Sequence, residues 1–245
     1  MADLALPHDV TLPVLGIATR FATNDRAILD LVDEAFGVWR LLDGREAAER
    51  GEPVQVRIVV GGDRRADAAD ADAPSIHHAM TDDLRFVARS PGSVAASDPA
   101  RRLATVRASG ALVADRARFR TDVLEAVVLA LLSCYDRHPL HAAAVACRGH
   151  ALLLAAPSGT GKSTLAYSCH AAGLDLLGDD HVRVQLEPSL RVWGWPARVR
   201  LLAETAERLG MAIAPAHALD RKGKAVVDAR EGMRAARLVA HDATV

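Results

Sequence analysis

Leu152-Leu-Leu-Ala-Ala-Pro-Ser-Gly-Thr-Gly-Lys162-Ser163-Thr164 carries an apolar run into a glycine-rich turn and then into a helical stretch, Thr164 to Ala172. Strand, loop and helix in that order, with Gly-Lys-Ser at the helix start, form a Walker A loop in the context the motif requires. Gly159 and Gly161 free the backbone to turn its N–H groups inward around phosphate oxygens, with Ser158 and Thr160 between and before them. Lys162 supplies a point charge for the β and γ phosphates, the Ser163 hydroxyl can ligate Mg²⁺, and Thr164 continues the first helical turn. The helix dipole adds to the attraction. The first motif position holds Ala156 in place of glycine, a tolerable change because the conformational demand falls on the later glycines.

Working outward, Leu174-Asp-Leu-Leu-Gly-Asp179-Asp180 reads as a strand ending in paired carboxylates. In an open α/β sheet that is where a magnesium ligand or a base faces the phosphates. Upstream, Ala142 to Cys147 and Ala151 to Ala155 read as two buried strands joined by Arg148-Gly149-His150. Before these, Asp122 begins a strongly apolar helix through Leu132 that ends near Asp136-Arg137-His138-Pro139 and is expected to pack against the lobe that follows. The N-terminal portion is mixed: Val10 to Arg20 extended, a helix from Asn24-Asp25 through Leu42, a strand from Val54 to Val60, and a solvated loop from Gly61 to Ser75. Leu84–Arg89, Leu103–Ala108 and Ala111–Phe119 alternate as in a small antiparallel meander. The expected organisation is therefore α/β, with a mixed α+β N-terminal lobe over residues 1–120 and a P-loop lobe, a mixed sheet flanked by helices, over 121–245.

Composition narrows the function. The chain has 245 residues, 50% apolar and 25% charged, which excludes general disorder. Lys plus Arg total 30 against 31 acidic residues, so no whole-chain basic field exists to hold a nucleic acid. Cys134, Cys147 and Cys169 lie far apart with no CxxC pair and read as reduced thiols of a cytoplasmic protein. No apolar run approaches the roughly 20 residues a membrane span needs, and the first residues lack a signal peptide's pattern.

The stretch Leu140-His141-Ala-Ala-Ala-Val, then Gly149, the Walker A loop, and Ala172-Gly173-Leu-Asp-Leu-Leu-Gly-Asp-Asp-His-Val resembles the catalytic core of the HPr kinase/phosphorylase family and its shorter relatives. The likeness covers residues 138 to 187, about a fifth of the chain, with weaker likeness through Trp193-Gly-Trp-Pro196, Arg200 and Lys222-Gly-Lys224. It implies a phosphoenolpyruvate-carboxykinase-like P-loop fold and ATP- and Mg²⁺-dependent transfer of a γ-phosphoryl group to a serine of a protein or peptide. By the same resemblance Asp179 is the general base on the acceptor hydroxyl, Asp180 sits with Ser163 near the metal, and His141 lies near the transferred phosphate. Shorter relatives of this kind resemble kinases of precursor peptides, lasso peptides among them, which makes such a peptide the expected partner. Self-association is compatible with this reading, and neither nucleic acid nor membrane is an expected partner. Little chain follows Lys224 to Asp228 to supply the long C-terminal segment of the full-length enzymes, so the reverse phosphorylase reaction is not expected. Nothing in residues 1–120 resembles their regulatory domain.

Two rival classes share the loop: an ATPase or GTPase switch with water as acceptor, and a non-catalytic nucleotide-dependent peptide binder. No Asn-Lys-x-Asp base-reading motif supports the GTPase form. Arg198 and Arg200 read as solvated arginines opening a helix that runs to Leu209, with a clamp on phosphate or on the acceptor backbone as the alternative. Lys222 and Lys224 read equally as a loop closing over the γ-phosphate or as a basic turn before a strand. Trp193 and Trp195 alternate as strand residues and are expected in the core, the alternative being that one stacks on adenine or lines an acceptor groove. His77, His78 and His138 lack partners at ligand spacing, so no zinc site is expected from them.

Overall fold

The computed structural model describes residues 5–41, 52–61, 75–81, 86–195, 198–202, 224–228 and 239–241. The chain divides into two units, Met1–Tyr135 and Asp136–Val245. Among the described residues no helix is long and apolar enough to cross a membrane.

The first unit is built on one seven-stranded mixed sheet. Its strands are β1 His8–Val14, β2 Ile17–Thr23, β3 Val54–Gly61, β4 His77–Met80, β5 Phe86–Ser90, β6 Ser93–Asp98 and β7 Leu103–Ser109, in the order β1-β2-β3-β7-β6-β5-β4. β3 runs parallel to β2 and β7, and the other neighbours are antiparallel. The extended segment expected at Val10 to Arg20 is a hairpin, because Leu15 and Gly16 both take positive φ (52° and 74°) and close a tight turn. Helix α1, Ala27–Phe36, buries Ile28, Leu31, Val32, Ala35 and Phe36, and stacks the Phe36 ring on Phe21 at 5.3 Å. Its start is marked as expected, with the Asp25 carboxylate accepting from the Ala27 N–H at 3.0 Å. A 3₁₀ turn, Gly37–Leu41, then continues the chain.

The third strand expected in the meander, Ala111–Phe119, is helical instead: α2 Gly110–Ala114 and α3 Arg116–Arg118. Each is capped locally, Ser109 Oγ accepting from the Leu112 N–H and the Asp115 carboxylate from the Arg118 N–H, both at 3.2 Å. A π-helical turn, Phe119–Glu125, leads into α4, Ala126–Ser133. Val127, Val128, Leu131 and Leu132 of α4 are fully buried, and the helix packs against β5, β6 and β7 of its own sheet. That packing carries the unit to Tyr135, beyond the residue 120 boundary read from the sequence.

The second unit contains β8 His138–Leu140, β9 Ala143–Cys147, β10 His150–Leu154, α5 Lys162–Ala171, β11 Asp175–Gly178, β12 Val182–Gln185 and β13 Arg191–Trp193, followed by β14 Arg198–Leu202, β15 Lys224–Asp228 and β16 Val239–His241. Three strands form a sheet in the order β10-β9-β11, and four form another in the order β16-β13-β12-β8. β9 is apolar throughout because both its faces are covered. Ala143 and Val145 join Ala166 of α5 and Leu176, while Ala142, Ala144 and Ala146 join Leu177, Val182 and Val192. β10 is less buried than its apolar sequence suggests, with Leu152 at 56% exposure, because it pairs on one side only among the described strands. Arg198 and Arg200 open no helix: β14 pairs antiparallel with β15, Leu202 opposite Lys224. Lys222 lies outside the described residues.

Candidate functional site

The loop between β10 and α5 owes its path to two glycines. Gly159 and Gly161 have φ of 86° and 94°, a region that side chains with a Cβ rarely enter, although open space surrounds both positions. The glycines are needed for conformation rather than for room. Gly161 stands at the N-terminus of α5, whose first N–H groups have no partner within the helix. Thr160 Oγ1 donates to the Pro157 carbonyl at 2.8 Å and pins the turn. The Lys162 ammonium folds back on the loop, donating to the carbonyls of Ala156 at 2.7 Å and Pro157 at 3.1 Å. Lys162 is half-buried and its ammonium can exchange these neutral acceptors for charged ones, which bind an ammonium about twice as strongly.

Helix α5 packs on β9 and β11, and this sets its first turn beside the end of β11. The Ser163 hydroxyl lies 3.5 Å from the Asp179 carbonyl oxygen, one residue beyond that strand. The Walker-type loop and the paired carboxylates, sixteen residues apart in sequence, thus share one end of the three-stranded sheet. Asp179 is buried at 7% exposure, whereas Asp180 is half-buried.

Asp180 faces two imidazoles. Its Oδ1 lies 3.2 Å from His141 Nδ1 and its Oδ2 lies 3.5 Å from His181 Nε2. The rings are 5.5 Å apart between centroids and tilted by 51°. The cause is topological. The chain passes from the four-stranded to the three-stranded sheet at His141, between β8 and β9, and returns at Asp179 to His181, between β11 and β12. Pairing holds the two crossings side by side, with Leu140 opposite Val182 on one sheet and Ala144 opposite Gly178 on the other. The sequence reading put His141 near the transferred phosphate and did not single out His181. A separation of 39 residues between His141 and Asp180 shows no ligand spacing, and only the double crossing unites them.

A buried polar layer supports β12 and β13. Trp193 donates from Nε1 to Gln185 Oε1 at 2.8 Å, and the Arg137 guanidinium, fully buried, lies 4.7 Å from the Trp193 ring centroid. Trp193 is therefore core, as expected. Burial would raise the Asp136 pKa, but its Oδ2 accepts from the N–H groups of Leu186 and Glu187 at 2.9 and 2.7 Å, and His138 lies 2.8 Å from Oδ1. Together these hold the carboxyl below its ordinary value. His138 thus has a carboxylate partner that its sequence position did not reveal. Gly194 crosses the back of β11 so closely that a Cβ there would stand 2.2 Å from the Leu177 carbonyl oxygen. The three cysteines are free thiols.

No family model matches the chain, and no curated protein matches it.

Proposed function

We propose that this chain is an ATP-dependent serine kinase of the HPr-kinase-related type, with a phosphoenolpyruvate-carboxykinase-like P-loop lobe, acting on a serine of a protein or precursor peptide. The observation that carries the reading is the approach of Ser163 to the Asp179 backbone, which sets the phosphate loop and the strand-end carboxylates together. In this reading the N–H groups of the loop and of the first turn of α5 receive the phosphate oxygens, and Lys162 leaves the Ala156 and Pro157 carbonyls for them. Asp179 accepts the proton of the acceptor hydroxyl as its oxygen attacks the γ-phosphorus in line. The bond to the β–γ bridging oxygen breaks and ADP departs. The Ser163 hydroxyl and Asp180 carboxylate are hard oxygen donors that would hold magnesium, whose chemistry is neutralisation of the triphosphate charge.

Incubating the chain with ATP, Mg²⁺ and serine-bearing peptides encoded by neighbouring genes tests it, with mass spectrometry of the peptides beside a phosphate-release assay. A phosphoserine on a peptide supports the kinase. Hydrolysis with no modified peptide favours a switch, and nucleotide binding without either favours a binding protein.

A further inference from the structure

The seven-stranded sheet of the first unit has two faces of opposite character. Alternation buries Val56, Ile58, Ala88, Ala95, Ala104 and Val106 on one of them, and α1, α2 and α4 pack on the sheet. The intervening residues Arg57, Arg89, Val94, Thr105 and Arg107 are exposed on the other. Register sets Arg107, Val94 and Arg89 side by side across β7, β6 and β5, with His77 of β4 ending the row. Arg57 lies opposite Thr105, two residues from Arg107 on the same face. We propose that this face docks an acidic polypeptide segment in extended conformation, held chiefly by Arg89 and Arg107.

Charge carries the assignment. Arg20, Arg40, Arg116 and Arg120 of this unit all have carboxylate partners, whereas among the described residues neither Arg89 nor Arg107 forms an ion pair. The acidic residues on the strands of this face are already engaged, Asp9 with Arg20 at 3.2 Å and Asp98 with the Arg101 N–H at 3.4 Å. The row itself holds no carboxylate, so its positive charge is left for a partner to neutralise.

Guanidinium groups pair carboxylates through two parallel N–H donors, which favours Asp and Glu side chains as their acceptors. Arg89 and Arg107 stand two strands apart, about 9.6 Å between backbones, close to the roughly 10 Å that separates every third residue of an extended chain. Val94, 41% exposed, lies between them, and the small Ala96 and Thr105 keep the neighbouring floor low enough for a backbone to cross. Among the described residues of this face no Phe, Tyr or Trp is exposed to stack on bases, and a chain of formal net charge -1 has no long-range pull on a polyanion. A peptide fits these features better than a nucleic acid. The inference goes beyond the kinase reading and stands without it, because the face belongs to the first unit and the phosphate loop to the second.

The test uses the full chain without nucleotide and fluorescence anisotropy of a labelled peptide with glutamate at every third position. Its counterpart with lysine for glutamate, an oligothymidine and phosphatidylserine vesicles serve as competing probes. The acidic peptide should bind saturably at low salt and weaken as salt rises, and the lysine peptide should not bind. Arg89→Gln and Arg107→Gln, both at exposed strand positions, should each lower affinity roughly two- to fivefold, the worth of one exposed ion pair. The double variant Arg89→Glu with Arg107→Glu should abolish binding, while Arg26→Gln, the same charge change at an exposed position outside the sheet, should leave it unaltered. No binding by the unaltered chain at low salt overturns the proposal. So does an equal loss in Arg26→Gln, or tighter binding to the oligothymidine or the vesicles than to the peptide.

Discussion

The Ser163 hydroxyl stands 3.5 Å from the Asp179 carbonyl oxygen, at the outer limit of hydrogen bonding, so the contact reports position rather than strength. Position is what phosphoryl transfer requires, because its transition state needs charge and acceptor aligned more than it needs covalent chemistry. The register of β11 on β9 and the packing of α5 on both strands fix the approach. A substitution acting on any of the three should therefore be read out at the loop.

Lys162→Ala tests the proposed phosphate cradle. The ammonium holds two loop carbonyls, and its removal takes the cation out of the loop. ATP–Mg²⁺ affinity should fall at least about tenfold, in proportion to a lost charge-assisted contact of roughly 1.5–3 kcal/mol, and phosphotransfer should vanish. Calorimetry giving unchanged affinity would remove Lys162 from the site.

Gly194→Ala tests the support beneath the carboxylates. The new methyl group meets the Leu177 carbonyl of β11, a backbone atom with no flexible side chain to yield. Overpacking of this kind costs roughly 1–3 kcal/mol, so thermal melting of the variant should come several degrees lower. An unshifted melting temperature would mean that β11 and the Gly194 segment separate easily.

Acid should weaken the second unit through Asp136. Its carboxyl is held below the ordinary value in the fold, so it adds stability above the unfolded pKa of about 3.9 that is lost as pH falls through the lower folded value. Asp136→Asn preserves a side chain tolerant of the positive φ, 55°, at this position but loses the charge that the Leu186 and Glu187 N–H groups face. The variant should be less stable at pH 7 by about 1 kcal/mol, and the difference should shrink toward pH 3. Denaturant unfolding at both pH values measures it, and a gap that widens on acidification would contradict the assignment.

The loop and helix around Gly161 and the strand β9 were legible in the sequence because each rests on local demands: glycine for positive φ and a continuous apolar run for a strand covered on both faces. Where the outcome depended on distant partners, the pattern misled. Ala111–Phe119 alternates like a strand yet is helical, since Ser109 caps the start of α2 and Asp115 the start of α3. Arg198–Leu202 looks like a helix opening but pairs with a strand more than twenty residues on. Leu15 hides a hairpin because leucine is no turn former. His181 became a site residue only through the paired crossings that bring His141 to Asp180.

The sharpest prediction concerns Asp179, because many P-loop proteins share the phosphate cradle whereas a carboxylate serving the acceptor hydroxyl distinguishes a kinase from a switch. Asp179 is buried, and its backbone carbonyl touches Ser163, so a replacement must keep its size. Asparagine does so, retaining hydrogen bonding while losing the capacity to take a proton. ATP binding by Asp179→Asn should stay within a few-fold of the unaltered chain, while transfer to the acceptor serine falls by roughly 10² to 10⁴, the usual worth of a positioned base. Initial-rate phosphotransfer beside nucleotide titration, over a range of Mg²⁺, separates the two quantities. Near-normal transfer would end the general-base role, and loss of nucleotide binding as complete as that of Lys162→Ala would assign Asp179 to the cradle instead.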